Sequence, residues 1–268
     1  KGNILQIIFF AVLVGMAISL CGDKARPAAA FFDAMSEVMI RVTSMVMLYA
    51  PIGVFALMAY TVSNHGLEVL LPLIKLIGIM YLGCLIHVII TYLPCIRYAG
   101  LRPGTFFRGL SAPLLTSFTT CSSAAALSTN LTSVQKLGAS RSVASFSIPL
   151  GNTINMDGTA IYMGVCSIFA AEVYGLPLTM ADQLTIVLMG VLAAVGTAGV
   201  PGAGLIMTTI IFTQVGIPLE AVALIAGVDR ILDMIRTSIN VVGDVAAAVI
   251  VTKMEGDLNS EPYVEGAD

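Results

Sequence analysis

The stretch DRILDMIRTSINVVGD, Asp229–Asp244, sets charged or strongly polar side chains at Asp229, Asp233, Arg236, Asn240 and Asp244. Their spacings of four, three, four and four place all five within an arc of about 80° on a helix. The helix that holds them extends over about Leu219–Thr252, and its other positions are mostly Ile, Leu, Met, Val and Ala. A charge at the centre of a bilayer costs about 2.5–3.5 kcal/mol on insertion scales. A stripe of this kind in an apolar helix therefore faces a wet or paired interior and marks a functional face. A salt-bridge ladder that only joins helices is the plainer alternative, and Asp233 with Arg236 would suit it. Three carboxylates against one arginine leave negative charge over, however, and surplus carboxylates suit cations.

The rest of the chain identifies the solvent as lipid. Of 268 residues 57% are hydrophobic and 11% charged, against about 25% charged in a soluble domain. Long apolar runs recur at Ile4–Leu20, Val42–Tyr60, Leu70–Tyr92 and Ile161–Ala171, which read as membrane spans or parts of them. A net charge of −3 provides no basic footprint for nucleic acid. Cys21, Cys84, Cys95, Cys121 and Cys166 have neither CxxC nor metal spacing, so they read as small buried hydrophobes. His65 reads as a loop residue and His87 as a helix residue, both without a partner pattern. The chain opens at Lys1 on an apolar segment with no initiator Met or signal-peptide pattern, and is expected to continue upstream.

Punctuation divides the chain. A first span, about Asn3–Cys21, ends in the charged turn Asp23–Pro27. A long helix, about Ala28–Val62, reaches a turn at Ser63–Gly66, and a third span runs from about Leu67 to Arg97. Leu110–Phe118 and Ala124–Leu131 then form two arms of near ten residues around the polar Thr119–Ser123. About twenty residues are needed to cross a bilayer, so this is a re-entrant hairpin. A second hairpin follows one helix later, with arms Ile186–Val200 and Leu205–Val215 around Pro201–Gly204. The loops at Lys24/Arg26, Arg97–Arg108, Lys136/Arg141 and beyond Lys253 are basic, whereas Ser63–Glu68, Glu172–Asp182 and Gly216–Glu220 hold no Lys or Arg. By the positive-inside rule the first hairpin enters from the cytoplasm and the second from outside. The expected fold is an all-α polytopic membrane protein, an inverted-repeat transporter with two re-entrant helical hairpins and a binding site near the midplane.

Three further clusters carry chemistry. Asn155-Met156-Asp157-Gly158-Thr159, preceded by Gly151-Asn152-Thr153, interrupts an apolar helix. Unwound backbone there, with the Asp157 carboxylate, suits a hard cation such as Na⁺; a kink with a buried polar network is the alternative. Ser122 and Ser123 provide hydroxyls and free N–H groups at a half-helix end, suited to an anion. Gly199-Val200-Pro201-Gly202-Ala203-Gly204 reads as a gate. On the stripe, Arg236 suits a carboxylate bidentately and Asp233 suits an ammonium, so the pocket outlines a small acidic amino acid. Arg230 lies off the stripe and is expected to serve another contact.

These motifs resemble the dicarboxylate/amino acid:cation symporter family, the sodium-coupled glutamate and aspartate transporters, over essentially the whole chain. Asn155–Thr159, Gly196–Gly204 and Asp229–Asp244 carry the resemblance most specifically. It implies that Arg236, beside Thr159, binds the substrate side-chain carboxylate, and that Asp233 binds the amino group. Asn240, Ser123 and Thr237 take the remaining polar atoms, with Ser122, Val200 and Gly204 around them. Asp244 with backbone of Gly151, Asn155 and Asn240 is implied as one Na⁺ site. Backbone of Thr153, Ala194, Val195 and Thr197 is implied as a second, and Asp157 with Asn155 and Met156 as part of a third, completed by a helix before Lys1. Residues 1–66 would belong to a trimerisation scaffold and 67–253 to a transport domain. In the latter, one helix precedes an inner hairpin at about 103–135, a helix at 139–172, an outer hairpin at 182–216 and a helix at 219–252. Residues 254–268 would form a polar tail. A homotrimer in a bacterial or archaeal cytoplasmic membrane, importing aspartate or glutamate with Na⁺ by an elevator motion, follows from the resemblance.

The chain departs from the family in one respect. Many relatives carry a second arginine on the inner tip or directly after the substrate-binding aspartate, where this sequence has Cys121 and Met234, which leaves open what neutralises Asp233 and whether a counter-ion is coupled. Coupling to H⁺ and transport of neutral amino acids or C4-dicarboxylates are the alternatives within the family. Asp233 argues against plain dicarboxylates and Arg236 against neutral substrates. Outside the family, an intramembrane aspartyl protease would use Asp157 with Asp233 or Asp244, but the GxGD pattern is missing. An ion channel would need no paired gates.

Overall fold

The computed structural model describes residues 4–49, 70–197 and 199–258, together with residues 52, 53, 55, 56, 59, 63 and 66. Residues 64 and 65 of the expected turn at 63–66, the start of the third span and most of the polar tail lie outside the described residues. The chain falls into two compact units, Lys1–Ala56 and Leu57–Asp268.

In the first unit α1 (Ile4–Cys21) passes through a 3-10 turn (Gly22–Ala25) into α2 (Arg26–Met47). The turn coincides with the charged segment seen in the sequence, and Pro27 sits in the first turn of α2, where its missing N–H has no partner to lose. Phe10, Phe31, Phe32 and Val38 are exposed, an apolar surface that suits lipid rather than water.

In the second unit every regular element among the described residues is a helix. Helix α3 (Leu70–His87) continues through a π-turn (Val88–Tyr92) into α4 (Leu93–Tyr98), and a short α5 (Pro103–Gly109) follows. Helices α6 (Ser111–Thr120) and α7 (Ser123–Lys136) pack on each other around a two-residue tip. The segment expected as one helix over 139–172 is two, α8 (Arg141–Ile154) and α9 (Asp157–Val173), parted at Asn155 and Met156, whose backbones leave the helical region. A second packed pair, α10 (Met180–Val195) and α11 (Ala203–Val215), surrounds a longer tip. Thr179 and Asp182 form a reciprocal capping box at the start of α10. The final segment also differs from the single helix expected over 219–252. Gly227 and Val228 separate α12 (Glu220–Ala226) from α13 (Asp229–Met254), glycine being a poor helix former.

The helices of both pairs, 10 to 16 residues long, measure about 15–24 Å at 1.5 Å per residue, short of a hydrocarbon core of about 30 Å. Among the described residues three stretches, Leu71–Tyr98, Arg141–Val173 and Asp229–Met254, are long and apolar enough to cross a membrane. They differ in what surrounds them. The apolar window of Asp229–Met254 is 72% buried in protein, against 22% for that of Leu71–Tyr98. Helix α13 packs against α3, α4, α6, α7, α8, α9 and α12, so its charged stripe is enclosed by the fold and kept from lipid.

Two close approaches fix α13 against the broken helix. A Cβ at Gly158 would meet the Arg236 carbonyl oxygen and come within 3.0 Å of its Cα. A Cβ at Gly151 would lie 2.6 Å from Asp244 Oδ1. Both glycines are therefore required by contact with neighbouring backbone or a buried carboxylate.

Candidate functional site

The break at Asn155–Met156 leaves α9 with unpaired N–H groups. The helix is capped from another element, the Gly158 N–H donating to Asn240 Oδ1 at 2.8 Å. The Asn240 amide in turn donates to Thr159 Oγ1 at 3.2 Å and lies 3.1 Å from Met156 Sδ. Asn155 Nδ2 donates to the Asn240 carbonyl and to Asp244 Oδ1, both at 3.1 Å. Asn240 thus joins the unwound segment to α13, and Asp244 stands one turn further along beside Asn155 and Gly151.

One turn the other way, Asp233 and Arg236 form a buried ion pair, Arg236 Nη2 at 2.7 Å and Nε at 3.1 Å from Asp233 Oδ1. Thr237 donates to the same oxygen at 2.8 Å, and the Gly202 N–H of the α10–α11 tip donates to Oδ2 at 2.9 Å. Arg236 is thus the counter-charge that Asp233 has in this structure. The Arg236 guanidinium lies 4.5 Å over the Tyr162 ring, and the Tyr162 hydroxyl donates to Asp229 Oδ1 at 2.7 Å. Arg236 Nη1 is buried with no hydrogen-bond partner among the described residues. Arg230 donates to the Thr119 carbonyl at 2.8 Å, the separate contact expected for an off-stripe arginine.

The two tips meet. Helix α6 ends on Cys121 at φ 55, a left-handed cap usually given to glycine. Ser122 then accepts from Ala125 N–H at 3.2 Å and donates to the Gly199 carbonyl at 2.9 Å, while Ala124 N–H donates to that carbonyl at 3.3 Å. Two of the N–H groups read as free at this helix end are therefore engaged. The cavity between them is about 10 Å³, about one water in size; Ser123, Thr159, Val200, Gly204, Asp233 and Arg236 are among its lining residues. A Cβ at Gly204 would meet Arg236 Nη1, so glycine is what allows the outer tip to close over the guanidinium.

The residues read as substrate-binding thus converge, Ser122 serving at the junction of the tips. Of the second implied cation set only Thr197 reaches this cavity. Thr153 is exposed with its hydroxyl donating to the Pro149 carbonyl, the Ala194 carbonyl accepts from Thr197 N–H, and Val195 is exposed. Asp157 is reached by residues that sequence reasoning passed over. The Tyr92 hydroxyl donates to Asp157 Oδ2, and His87 Nε2 lies 3.2 Å from the same oxygen. His87 is therefore not partnerless, a correction that needs the long-range packing of α3 on α9. Tyr162 was missed as well, whereas Gly158 and Gly202 lie in clusters that the sequence reading had singled out. For Tyr162 a signal existed, since it stands one turn after Thr159 on the same helix.

Among the described residues no three His, Cys, Asp or Glu side chains cluster as for a transition metal. The donors are single carboxylates beside amide and backbone carbonyl oxygens, a set that fits a hard cation. Tyr162→Phe removes the hydroxyl that donates to buried Asp229 and keeps the aromatic face under Arg236. It is expected to lower stability by about 1–3 kcal/mol, read as a reduced thermal unfolding midpoint in detergent.

A polytopic helical membrane protein with a charged, water-poor site between two opposed hairpin tips is the class that this fold and site define. The chain belongs to the sodium:dicarboxylate symporter family, whose model matches residues 1–254, a family of symporters rather than enzymes. It is 40% identical over 256 residues to the proton/glutamate-aspartate symporter of Escherichia coli, covering 95% of this chain and 59% of the relative. To the proton/sodium-glutamate symport protein of Geobacillus stearothermophilus it is 36% identical over 261 residues, 97% of this chain and 62% of the relative. To a C4-dicarboxylate transport protein of Brucella anthropi it is 36% identical over 261 residues, 97% and 59%. The chain therefore spans about three-fifths of the length of these relatives.

Proposed function

We propose that the protein of which this chain is a part imports an acidic amino acid, aspartate or glutamate, together with Na⁺. The observation that supports it best is the Asp233–Arg236 pair, roofed by Gly202 and floored by Tyr162. One buried guanidinium and one buried carboxylate, side by side in a water-poor pocket, offer complementary partners to a side-chain carboxylate and an α-ammonium. A pocket for a plain dicarboxylate has no use for Asp233, and one for a neutral amino acid has no use for Arg236. A substrate enters by drawing Arg236 from Asp233 and taking both partners, which requires the tips to part, since the cavity is far smaller than the few hundred Å³ of a ligand pocket.

The cation half of the reading places Asp244, Asn155 and the Asn240 and Gly151 backbone at one site, and Asp157 with Asn155 and Met156 at another. Thr153, Ala194, Val195 and Thr197 would form a third, assembled only when the outer tip rearranges. In this proposal α6–α7 and α10–α11 are re-entrant gates, 67–253 moves as a transport domain against a scaffold that includes 1–66, and the assembly is a homotrimer in the plasma membrane.

The deciding experiment is uptake of labelled aspartate into proteoliposomes containing the full-length protein, with and without an inward Na⁺ gradient. Uptake that requires Na⁺ is the expected result. Uptake indifferent to Na⁺ and driven by a proton gradient refutes the Na⁺ assignment. The relatives described as proton symporters favour that second reading.

A further inference from the structure

The π-turn at Val88–Tyr92 aims two rings at one atom. In an α-helix, residues five apart differ by about 140° around the axis, so His87 and Tyr92 would face different neighbours. The wider turn brings both to Asp157 Oδ2, their rings edge to face with centroids 4.8 Å apart. Such turns are rare and concentrate at functional sites.

The polar atoms here form an ordered set. Thr91 Oγ1 is 3.3 Å from His87 Nδ1. With the threonine hydroxyl donating to Nδ1, the imidazole hydrogen sits on Nε2 and is donated to Asp157. Asp157 Oδ2 then receives two hydrogen bonds, while no hydrogen bond reaches Oδ1 among the described residues. The buried Tyr92 oxygen also lies 3.4 Å from the Ile239 carbonyl. A Cβ on Gly243 would come within 2.6 Å of it. The phenol is thus wedged between Asp157 and the turn of α13 that holds Asn240.

We propose that Tyr92, aided by His87, is a positioning residue for cation coupling. The two rings saturate Oδ2 of Asp157, so the carboxylate presents Oδ1 alone to a coupling cation, and Tyr92 fixes that oxygen relative to the substrate-binding helix. The inference rests on the Na⁺-coupled reading above. It assigns neither ring a direct bond to the ion.

The test uses the full-length protein with two readouts: the rise of the thermal unfolding midpoint with Na⁺ in detergent, and the Na⁺ concentration that half-saturates aspartate uptake. Second-sphere donors to a cation ligand typically change affinity by 10- to 100-fold. For Tyr92→Phe both Na⁺ curves are expected to move up at least about tenfold, with aspartate KM at saturating Na⁺ changed by less than about twofold. His87→Leu is expected to move in the same direction. His87→Gln, which keeps an amide N–H near the place of Nε2, is expected to restore the wild-type curves. Wild-type Na⁺ curves in both Tyr92→Phe and His87→Leu would overturn the proposal, as would a loss confined to aspartate KM. If Tyr92→Phe does not fold, the His87 pair decides, and coincident Gln and Leu curves overturn it. A wild-type protein whose midpoint and uptake ignore Na⁺ overturns the coupled reading itself and this inference with it. That failure appears before any variant is made, so the two are told apart.

Discussion

Arg236→Ala is expected to abolish preference for acidic substrates and to admit small neutral amino acids. The guanidinium pairs directly with Asp233 and stacks on the Tyr162 ring, whose hydroxyl donates to Asp229. Removing one partner of a buried ion pair costs about 3–5 kcal/mol, which corresponds to a loss of about 10²- to 10³-fold or more in aspartate affinity. Part of that cost falls on the fold, because Asp233 stays buried with only Thr237 and Gly202 donating to it. Arg236→Lys separates the two effects. Lysine retains the charge and hence the fold, but it lacks the planar fork, so aspartate affinity is expected to fall while the thermal midpoint holds. Competition of labelled aspartate uptake by unlabelled aspartate, serine and alanine measures the selectivity. Unchanged aspartate affinity in Arg236→Ala would refute the role given to this residue.

Gly158→Ala is expected to have the largest structural effect. The added methyl would run into the Arg236 carbonyl, with the carbonyl carbon 2.9 Å and the Cα 3.0 Å away. No rotamer relieves a clash with backbone, so α9 and α13 would have to separate at the residue that carries the guanidinium. Overpacking costs about 1–3 kcal/mol in typical cores, and this position belongs at the upper end. The Gly158 N–H bond to Asn240 Oδ1 would be lost with the separation. A lowered thermal midpoint together with weakened aspartate binding is the expected pair of results. Gly204→Ala offers the contrast, because there the obstacle is the end of a flexible side chain. Arg236 can move aside, and the fold should persist with altered substrate affinity. A Gly158→Ala protein as stable as the wild type would show that the helices are less tightly held than the geometry implies.

Much of this site was legible because lipid makes polarity expensive. Asp233, Arg236, Asn240 and Asp244 stood out on a period of 3.6 against apolar neighbours, and α13 is buried along that face. The two helix pairs were legible from their short apolar arms and from the polar or Pro/Gly-containing segments between them, and the helices do break at Cys121–Ser122 and at Gly196–Gly202. The π-turn was not legible in the same way. In LIHVIITYLP, Leu85–Pro94, only His87, Thr91 and Tyr92 carry polar atoms, too few for a periodicity that reports a change of pitch. One local cue was present, because Pro94 cannot donate to the carbonyl four residues earlier, and a helix that loses that bond readily changes its winding. The pairing of His87 and Tyr92 with Asp157 spans 65 to 70 residues, a relation that only tertiary packing supplies. The breaks at Asn155–Met156 and Gly227–Val228 also separate in this manner. The first was marked by Asn and Gly in mid-helix, whereas the second had only one glycine beside a charged helix start.

The Gly199 carbonyl, which accepts from both the Ser122 hydroxyl and the Ala124 N–H, makes the outer tip a built-in competitor of any carboxylate seeking the same helix end. Both would occupy the donors of α7, and only one can. In the proposed transport reading, affinity for an incoming carboxylate is set against this internal rival and is reduced by the fraction of time the rival holds its place. Substitutions that stiffen the outer tip should weaken binding without touching the substrate, and those that loosen it should strengthen binding at the expense of a well-sealed gate.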